Sequence, residues 1–169
     1  MNLQHLFKLQ ELMESEIVKS SLVSEDSHGA RNTKDLRFLA LQVKTGELVN
    51  LTKCYKYSQI SSNVPREKLT VRYIDSMKFL LSIGNMYEFN IINETTLLKL
   101  DDHDDIVTIF SNIYSLICKL KNETERDMYI EALSTYIELF SHYLKLGSLL
   151  GFEFDEVYKY YQSNFSQQL

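Results

Sequence analysis

The stretch that decides the fold is residues 66–89, which read REKLTVRYIDSMKFLLSIGNMYEF. The single proline of the chain precedes it directly, so the pattern predicts a helix that begins near Arg66. Residues 71–83 are apolar nearly all round, which is typical of a helix at the centre of a bundle. Arg72 and Asp75 interrupt this apolar stretch, and charged side chains at central positions need partners.

Apolar residues at helical spacing predict further helices on both sides of this one. We expect them at 2–21, at 36–54, after the acidic tract 101–105, at 124–150 with Gly147 and Gly151 marking the end, and at 154–164. Each helix has a row of residues expected to face the core. These are, for the first, Leu3, Leu6, Gln10, Met13 and Ile17; for the second, Leu36, Leu39, Ala40, Val43, Glu47, Leu51 and Cys54; for the one after the acidic tract, Ile106, Ile109, Phe110, Ile113, Ile117 and Leu120; for 124–150, Ile130, Leu133, Ile137, Phe140 and Leu144; and for 154–164, Val157, Tyr158 and Tyr161. Residues 22–34 and 58–65 lose the period and hold Ser and Asn, so they are predicted to be loops.

Composition supports an all-helical domain. The chain has 169 residues, 44% of them hydrophobic, which is enough for a sizeable core. Five glycines and one proline are too few for the turns of a β-sandwich, a barrel or a doubly wound sheet. No domain boundary or repeat interrupts residues 1–169, so we predict a single-domain all-α bundle of five or six helices.

Charge and cysteine content exclude several classes of protein. A net charge of -5 gives no basic surface for a nucleic-acid backbone, so no nucleic-acid partner is expected. Cys54 and Cys118 lack the spacing of a zinc site or a disulfide framework. The first twenty residues are charged throughout, unlike a signal peptide, and no apolar stretch of about 18 residues exists to span a bilayer. A cytoplasmic protein without a membrane partner is therefore expected.

Several short motifs, in the same order along the chain, carry a resemblance to a known family. They are Leu6-Phe7 with Gln10 and Leu12, Gly46-Glu47-Leu48, Lys53-Cys54-Tyr55-Lys56-Tyr57, Tyr73-Ile74-Asp75, Phe79-Leu80-Leu81-Ser82-Ile83-Gly84, and Leu149-Leu150-Gly151-Phe152 with Tyr158 and Tyr161. Together they resemble the dimeric, all-α dUTPases of the MazG-related pyrophosphatase superfamily. The resemblance spans nearly the whole chain and implies a helical bundle that forms a two-fold dimer.

The resemblance also implies a magnesium site made of four carboxylates. In that family two helices offer Glu-x-x-Glu and Glu-x-x-Asp, and the acids converge on magnesium ions that hold the nucleotide triphosphate. Residues three apart on a helix share a face, and hard divalent ions require several oxygen ligands. Here the motifs read Lys44-Thr45-Gly46-Glu47 and Arg72-Tyr73-Ile74-Asp75, so a base replaces the leading acid of each.

The two replacements change the charge of the expected site from -4 to zero. A pair of unit charges about 4 Å apart interacts by roughly 4 kcal/mol at an effective dielectric near 20, so two bases would repel magnesium. Positions where the family usually carries further acids hold Leu51 and Val71. We therefore expect Lys44 and Arg72 to pair with Glu47 and Asp75 across two packed helices, in place of bound metal, and we assign no catalytic residue.

Some substrate-facing residues of the family have counterparts here. Gln10 resembles the glutamine that reads the uracil edge, although a core glutamine bonded to a neighbouring helix explains it equally well. Lys53 and Lys56 resemble residues near the phosphates, although lysines at a helix end also complement the helix dipole. Asn164 is the only residue of the closing segment that corresponds to the family's phosphate-gripping tail, and Ser58 stands where the family commonly has tryptophan.

Acidic residues around His103 could suggest a metal site. The sequence Asp101-Asp102-His103-Asp104-Asp105 precedes a predicted helix. Acids favour a helix N-terminus, so a solvated helix start explains the tract without a metal ion.

These observations predict a dUTPase-like protein that has lost magnesium-dependent pyrophosphatase activity and acts as a binding or regulatory protein. By analogy with phage and mobile-element relatives, its expected partners are a second copy, a protein regulator and a uracil nucleotide, and no cofactor is expected. The alternative is an active dUTP diphosphatase, converting dUTP to dUMP and pyrophosphate, with Glu47 and Asp75 among altered magnesium ligands. A purely structural helical adaptor is not separable from the first interpretation by sequence.

Overall fold

The computed structural model describes residues 2–20, 32–57, 64–101 and 104–168, and this part of the chain is helical without a strand. Six α-helices follow one another: α1 (Leu3–Ser20), α2 (Asn32–Thr52), α3 (Arg66–Met86), α4 (Ile106–Glu125), α5 (Tyr129–Leu149) and α6 (Phe154–Gln168). Two short 3-10 turns, Phe89–Ile91 and Glu94–Thr96, connect α3 to α4. The predicted all-α bundle is confirmed.

Helix α3 occupies the centre of the bundle, as its apolar pattern predicts. It packs against α1, α2, α5 and α6 and against the first 3-10 turn. Leu80, Leu81 and Ile83 are fully buried on it. The helix ends at Met86, three residues before the predicted end, because Glu88 takes a left-handed conformation with φ of 61°.

The inward stripes predicted for α1, α4 and α6 are largely confirmed. The buried residues on them include Leu3, Leu6, Gln10 and Met13 of α1, Ile109, Phe110, Ile113, Ile117 and Leu120 of α4, and Val157 and Tyr161 of α6. Tyr158 is half-buried, and the side chain of Ile17 lies outside the described residues. None of the helices in the described part of the chain is both long and apolar enough to cross a bilayer.

The stripe predicted for α2 is wrong at its first half. Leu36, Leu39 and Val43 are 55%, 61% and 51% exposed, and the side chains that face the core are instead Phe38, Leu41, Thr45 and Leu48. Helix α2 carries two apolar rows, and its packing against α3 and α4 selects the second one. The helix also begins at Asn32, inside the predicted loop 22–34, whose residues up to 31 lie outside the described part.

The boundary between α4 and α5 also differs from the prediction. Thr124 belongs to the last turn of α4, and the break comes at Asp127, whose φ of 55° ends the helical path without a glycine. On α5, Ile130 was expected to point inward but is 73% exposed, whereas Tyr136 and Tyr143 are fully buried. Tyrosine can occupy that core because its hydroxyl finds a partner there, as Tyr136 does on the Leu80 carbonyl at 2.9 Å.

Gly147 does not mark the end of α5 as predicted. It is buried inside the helix, and a Cβ at this position would lie only 2.6 Å from the Tyr73 hydroxyl. The missing side chain therefore makes room for a tyrosine of α3. Gly151, with φ of 79°, follows the end of the helix in the left-handed conformation that glycine adopts at no steric cost.

Candidate functional site

A cleft of about 570 Å³ opens between α1, α2 and α3. Its lining includes apolar side chains from all three helices and charged side chains from the two motifs. The lining residues are Gln10, Met13 and Glu14 of α1, Thr33, Leu36, Arg37 and Lys44 of α2, and Asp75, Lys78, Phe79 and Ser82 of α3. A cavity of this size is typical of a site for a small molecule.

The orientation of α2 follows from the residues next to the motif. Thr45 is fully buried, donates to the Leu41 carbonyl at 2.7 Å and pairs with the Tyr143 hydroxyl of α5. Since Thr45 faces the core, its neighbours Lys44 and Glu47 are turned toward the partly exposed edge where α2 packs against α3. The local helix geometry therefore places both motif residues of α2 beside those of α3.

Five side chains of alternating sign form a continuous charge chain along this edge: Lys44, Glu47, Arg72, Asp75 and Lys78. Lys44 Nζ lies 3.1 Å and 3.2 Å from the two carboxylate oxygens of Glu47. Arg72 Nε lies 3.2 Å from Glu47 Oε2, and Arg72 Nη1 lies 3.5 Å from Asp75 Oδ2. Lys78 Nζ completes the chain at 3.8 Å from Asp75 Oδ1. The ion pairs expected from the sequence are thus present.

Only one link of the charge chain joins two helices, whereas the sequence led us to expect both bases to pair across them. Lys44 pairs with Glu47 within α2, and Arg72 pairs with Asp75 within α3, each at a spacing of three residues. The contact between Arg72 and Glu47 connects α3 to α2. This difference follows from the i,i+3 spacing, which brings each base onto the acid of its own helix.

A second charged group ties α1 to α2 at the other end of the cleft. Arg37 Nη2 lies 3.4 Å from Glu14 Oε2, and Arg37 Nε donates to the Ser82 hydroxyl at 2.7 Å. Gln10 donates to Glu14 Oε1 at 2.6 Å, so both oxygens of this carboxylate have partners. Sequence reasoning missed Glu14, Arg37 and Lys78. Of these, only Lys78 could have been found from the sequence, because it lies three residues after Asp75 and therefore on the same face of the helix.

The donor set does not fit a magnesium ion. Among the described residues, no three Asp, Glu, His or Cys side chains lie together as a metal-binding group. Lys44 and Arg72 share the oxygens of Glu47, and Arg72 and Lys78 take one oxygen each of Asp75. A hard divalent ion requires several carboxylate oxygens without competing cations, and here each such oxygen already faces a basic nitrogen.

Gln10 lies at the cleft and is also bonded to a neighbouring helix. Its side chain is 94% removed from solvent, with an exposed fraction of 6%. The Tyr161 hydroxyl of α6 donates to Gln10 Oε1, while the amide nitrogen donates to Glu14. Burial first, and then the charge of Glu14, raise the pKa of Tyr161, so its hydroxyl keeps its proton for this bond. One amide N–H of Gln10 is not used by these two contacts.

Two further candidate residues, Lys53 and Lys56, do not line the cleft. Lys53 follows α2 in a left-handed conformation with φ of 53°, and Lys56 is exposed beyond it, and neither lines the cleft. The side chain of Asn164 lies outside the described residues, as do Ser58 and His103.

Comparison with known protein families gives a match over nearly the whole chain. A family model described as dUTPase matches residues 2–167, which is nearly the whole chain. No curated protein and no solved structure matches the chain significantly.

Proposed function

The chain belongs to the dUTPase family, and from this premise we propose that it has lost magnesium-dependent dUTP hydrolysis and works as a binding protein. The chain keeps the helical bundle expected of that family, and a cleft opens between α1, α2 and α3. In this protein the cleft holds a bound ligand in place of the substrate that an active enzyme would hydrolyse. The proposal assigns no catalytic residue and no cofactor.

The charge chain is the observation that supports this proposal. Two bases, Lys44 and Arg72, stand where the family resemblance places acids, and both contact Glu47. Their positive charges neutralise the acids that would otherwise attract a divalent ion. Because one unit charge about 4 Å away is worth roughly 4 kcal/mol at an effective dielectric near 20, two such bases strongly disfavour a metal at this place.

The same contacts make Glu47 and Asp75 poor general bases. A carboxylate that activates water needs an oxygen lone pair directed at that water. Glu47 accepts from Lys44 with both oxygens, and Arg72 Nε lies against Oε2 as well. Asp75 is bracketed by Arg72 and Lys78. Both acids are thus held as structural partners of the bases.

We also propose that the protein assembles as a homodimer through the exposed apolar row of α2, formed by Leu36, Leu39 and Val43. Three large apolar side chains at helical spacing, each more than half exposed, favour an interface rather than permanent contact with water. A closed two-fold dimer would cover the row on both copies. A protein regulator that docks on the assembled bundle, as in phage systems, is the further partner proposed by analogy.

Pyrophosphate release from dUTP tests the loss of activity. The purified protein is incubated with dUTP and millimolar magnesium and compared with Glu47→Gln, which removes one acid of the charge chain. We expect no magnesium-dependent release from either protein. If the unmodified chain releases pyrophosphate and Glu47→Gln does not, the alternative of an active dUTP diphosphatase with altered metal ligands is correct.

A further inference from the structure

We infer that the cleft binds the phosphate group of a small ligand directly through Lys78 and Lys44, without a metal ion. This inference rests on the proposed loss of magnesium chemistry and names the ligand class of the same site. The ligand is a phosphate ester or anhydride with an apolar or aromatic body, of which a nucleoside phosphate is one example. Charge, donor availability and shape of the cleft support it.

The cleft is positive although the chain as a whole carries a net charge of -5. The described charged side chains that line it or belong to the charge chain are four bases and three acids: Arg37, Lys44, Arg72 and Lys78 against Glu14, Glu47 and Asp75. One positive charge therefore remains after every acid is paired. An anion entering the cleft meets attraction where a divalent cation meets repulsion.

Lys78 is the donor best placed to meet an anion. Its contact with Asp75, at 3.8 Å, is an ion pair longer than a hydrogen bond. Its side chain is 25% exposed, so the ammonium group is partly removed from water yet reachable from the cleft. A lysine ammonium binds phosphate as a point charge with three N–H donors, and partial desolvation strengthens that attraction.

Lys44 lies at the same cleft and can share the anion. It contacts Glu47 alone among the described residues, and its side chain is 26% exposed. A phosphate has three oxygens and can accept from two ammonium groups while each keeps its own carboxylate. Both lysines line the same cleft from neighbouring helices, so their charges can hold the phosphate in place of a metal ion.

The other wall of the cleft suits the body of such a ligand. Met13 and Phe79 contribute apolar surface to this wall. Gln10 lines the same cleft, and its contact with Glu14 uses only one of its two amide N–H groups. About 570 Å³ accommodates a molecule of nucleotide size.

Calorimetric titration in EDTA tests the inference, with dUDP, inorganic pyrophosphate and deoxyuridine as the probes. We expect dUDP to bind in EDTA, deoxyuridine to bind far more weakly, and magnesium to weaken dUDP binding because it complexes the diphosphate. Lys78→Gln should reduce the affinity on the order of tenfold, the loss of one charge-assisted contact. Lys68→Gln, an exposed lysine at the start of the same helix, should leave it unchanged.

The comparison of dUDP with pyrophosphate shows whether the cleft recognises more of the ligand than its phosphate groups. Binding of dUDP more tightly than pyrophosphate supports a ligand with an apolar or aromatic body, and equal binding contradicts that part of the inference. Absence of dUDP binding in EDTA, equal affinity for deoxyuridine, or no effect of Lys78→Gln each overturns the inference. These results leave the proposed function standing unless dUTP is also hydrolysed with magnesium, which overturns the proposed function itself.

Discussion

Arg72 of α3 lies 3.2 Å from the carboxylate of Glu47 on α2, and this contact joins the two motif-bearing helices directly. Arg72 also reaches Asp75, and Glu47 also accepts from Lys44. The two helices are therefore held at their motifs by side-chain charges of the chain itself. Replacing one of these charged residues should therefore change the free energy of unfolding by a measurable amount.

Removing Glu47 should destabilise the fold moderately. Glu47→Ala leaves both Lys44 and Arg72 without this partner, and the side chains of Glu47 and Arg72 are 32% and 43% exposed. Water therefore offsets part of the loss, and we expect a cost of about 1–2 kcal/mol, between that of surface and buried ion pairs. Urea unfolding at neutral pH measures the difference.

Glu11→Ala is the matched control, since Glu11 pairs with Lys8 at the same spacing on the exposed face of α1. We expect it to cost less than about 0.5 kcal/mol. Equal costs for the two variants would mean that Glu47 is no more than a surface residue.

Restoring the acids should create a requirement for metal. Lys44→Glu with Arg72→Glu places four carboxylates on the facing edges of α2 and α3, where they repel one another. We expect the melting temperature to fall by roughly 3–6 °C without metal and to recover in millimolar magnesium, because a bound ion stabilises the folded state. Thermal unfolding with and without magnesium measures both changes.

Lys68→Glu with Lys119→Glu changes the net charge equally at exposed positions outside the charge chain. This control should show no recovery specific to magnesium. If it recovers as much as the motif variant does, the effect is one of general charge screening.

The exposed apolar row of α2 should form the dimer interface. Light scattering at micromolar concentration should give twice the 19.8 kDa mass of one chain. Leu39→Glu places a charge in the middle of the row and should yield monomers, whereas Val107→Glu, an exposed apolar position on α4, should not. A monomeric unmodified protein would exclude the proposed assembly.

Alkaline pH should unfold the protein through its buried tyrosines. Burial raises the pKa of Tyr73, Tyr136 and Tyr143 above the ordinary value of 10. Above that value these tyrosines lose protons in the unfolded chain but keep them in the folded one, so stability is full below pH 10 and falls as the pH rises. The expected slope is about 1.4 kcal/mol per pH unit for each such tyrosine.

Unfolding in urea between pH 9 and pH 11 measures this slope, and absorbance at 295 nm follows tyrosinate formation. The buried tyrosines Tyr73, Tyr136, Tyr143 and Tyr161 should ionise together with unfolding. Ionisation of all tyrosines in one step without loss of helix would contradict the assigned burial.

The sequence alone determined the helices and the identity of the altered motifs. Helical periodicity depends on residues three and four apart, so it predicts α3 and α4, apart from their C-terminal ends, whatever surrounds them. The ion pairs of Lys44 with Glu47 and of Arg72 with Asp75 obey the same local rule. Local spacing is sufficient for features of this kind.

Only the tertiary structure decided which face of α2 is buried and which distant charges meet. Leu39 and Phe38 lie on different faces of α2, and the packing of α3 and α4 buries Phe38. The contact of Arg37 with Glu14 joins residues 23 positions apart, so no helical period can predict it. The positive cleft also depends on tertiary structure, because it forms where three helices meet. Each segment of sequence specifies only its own helix.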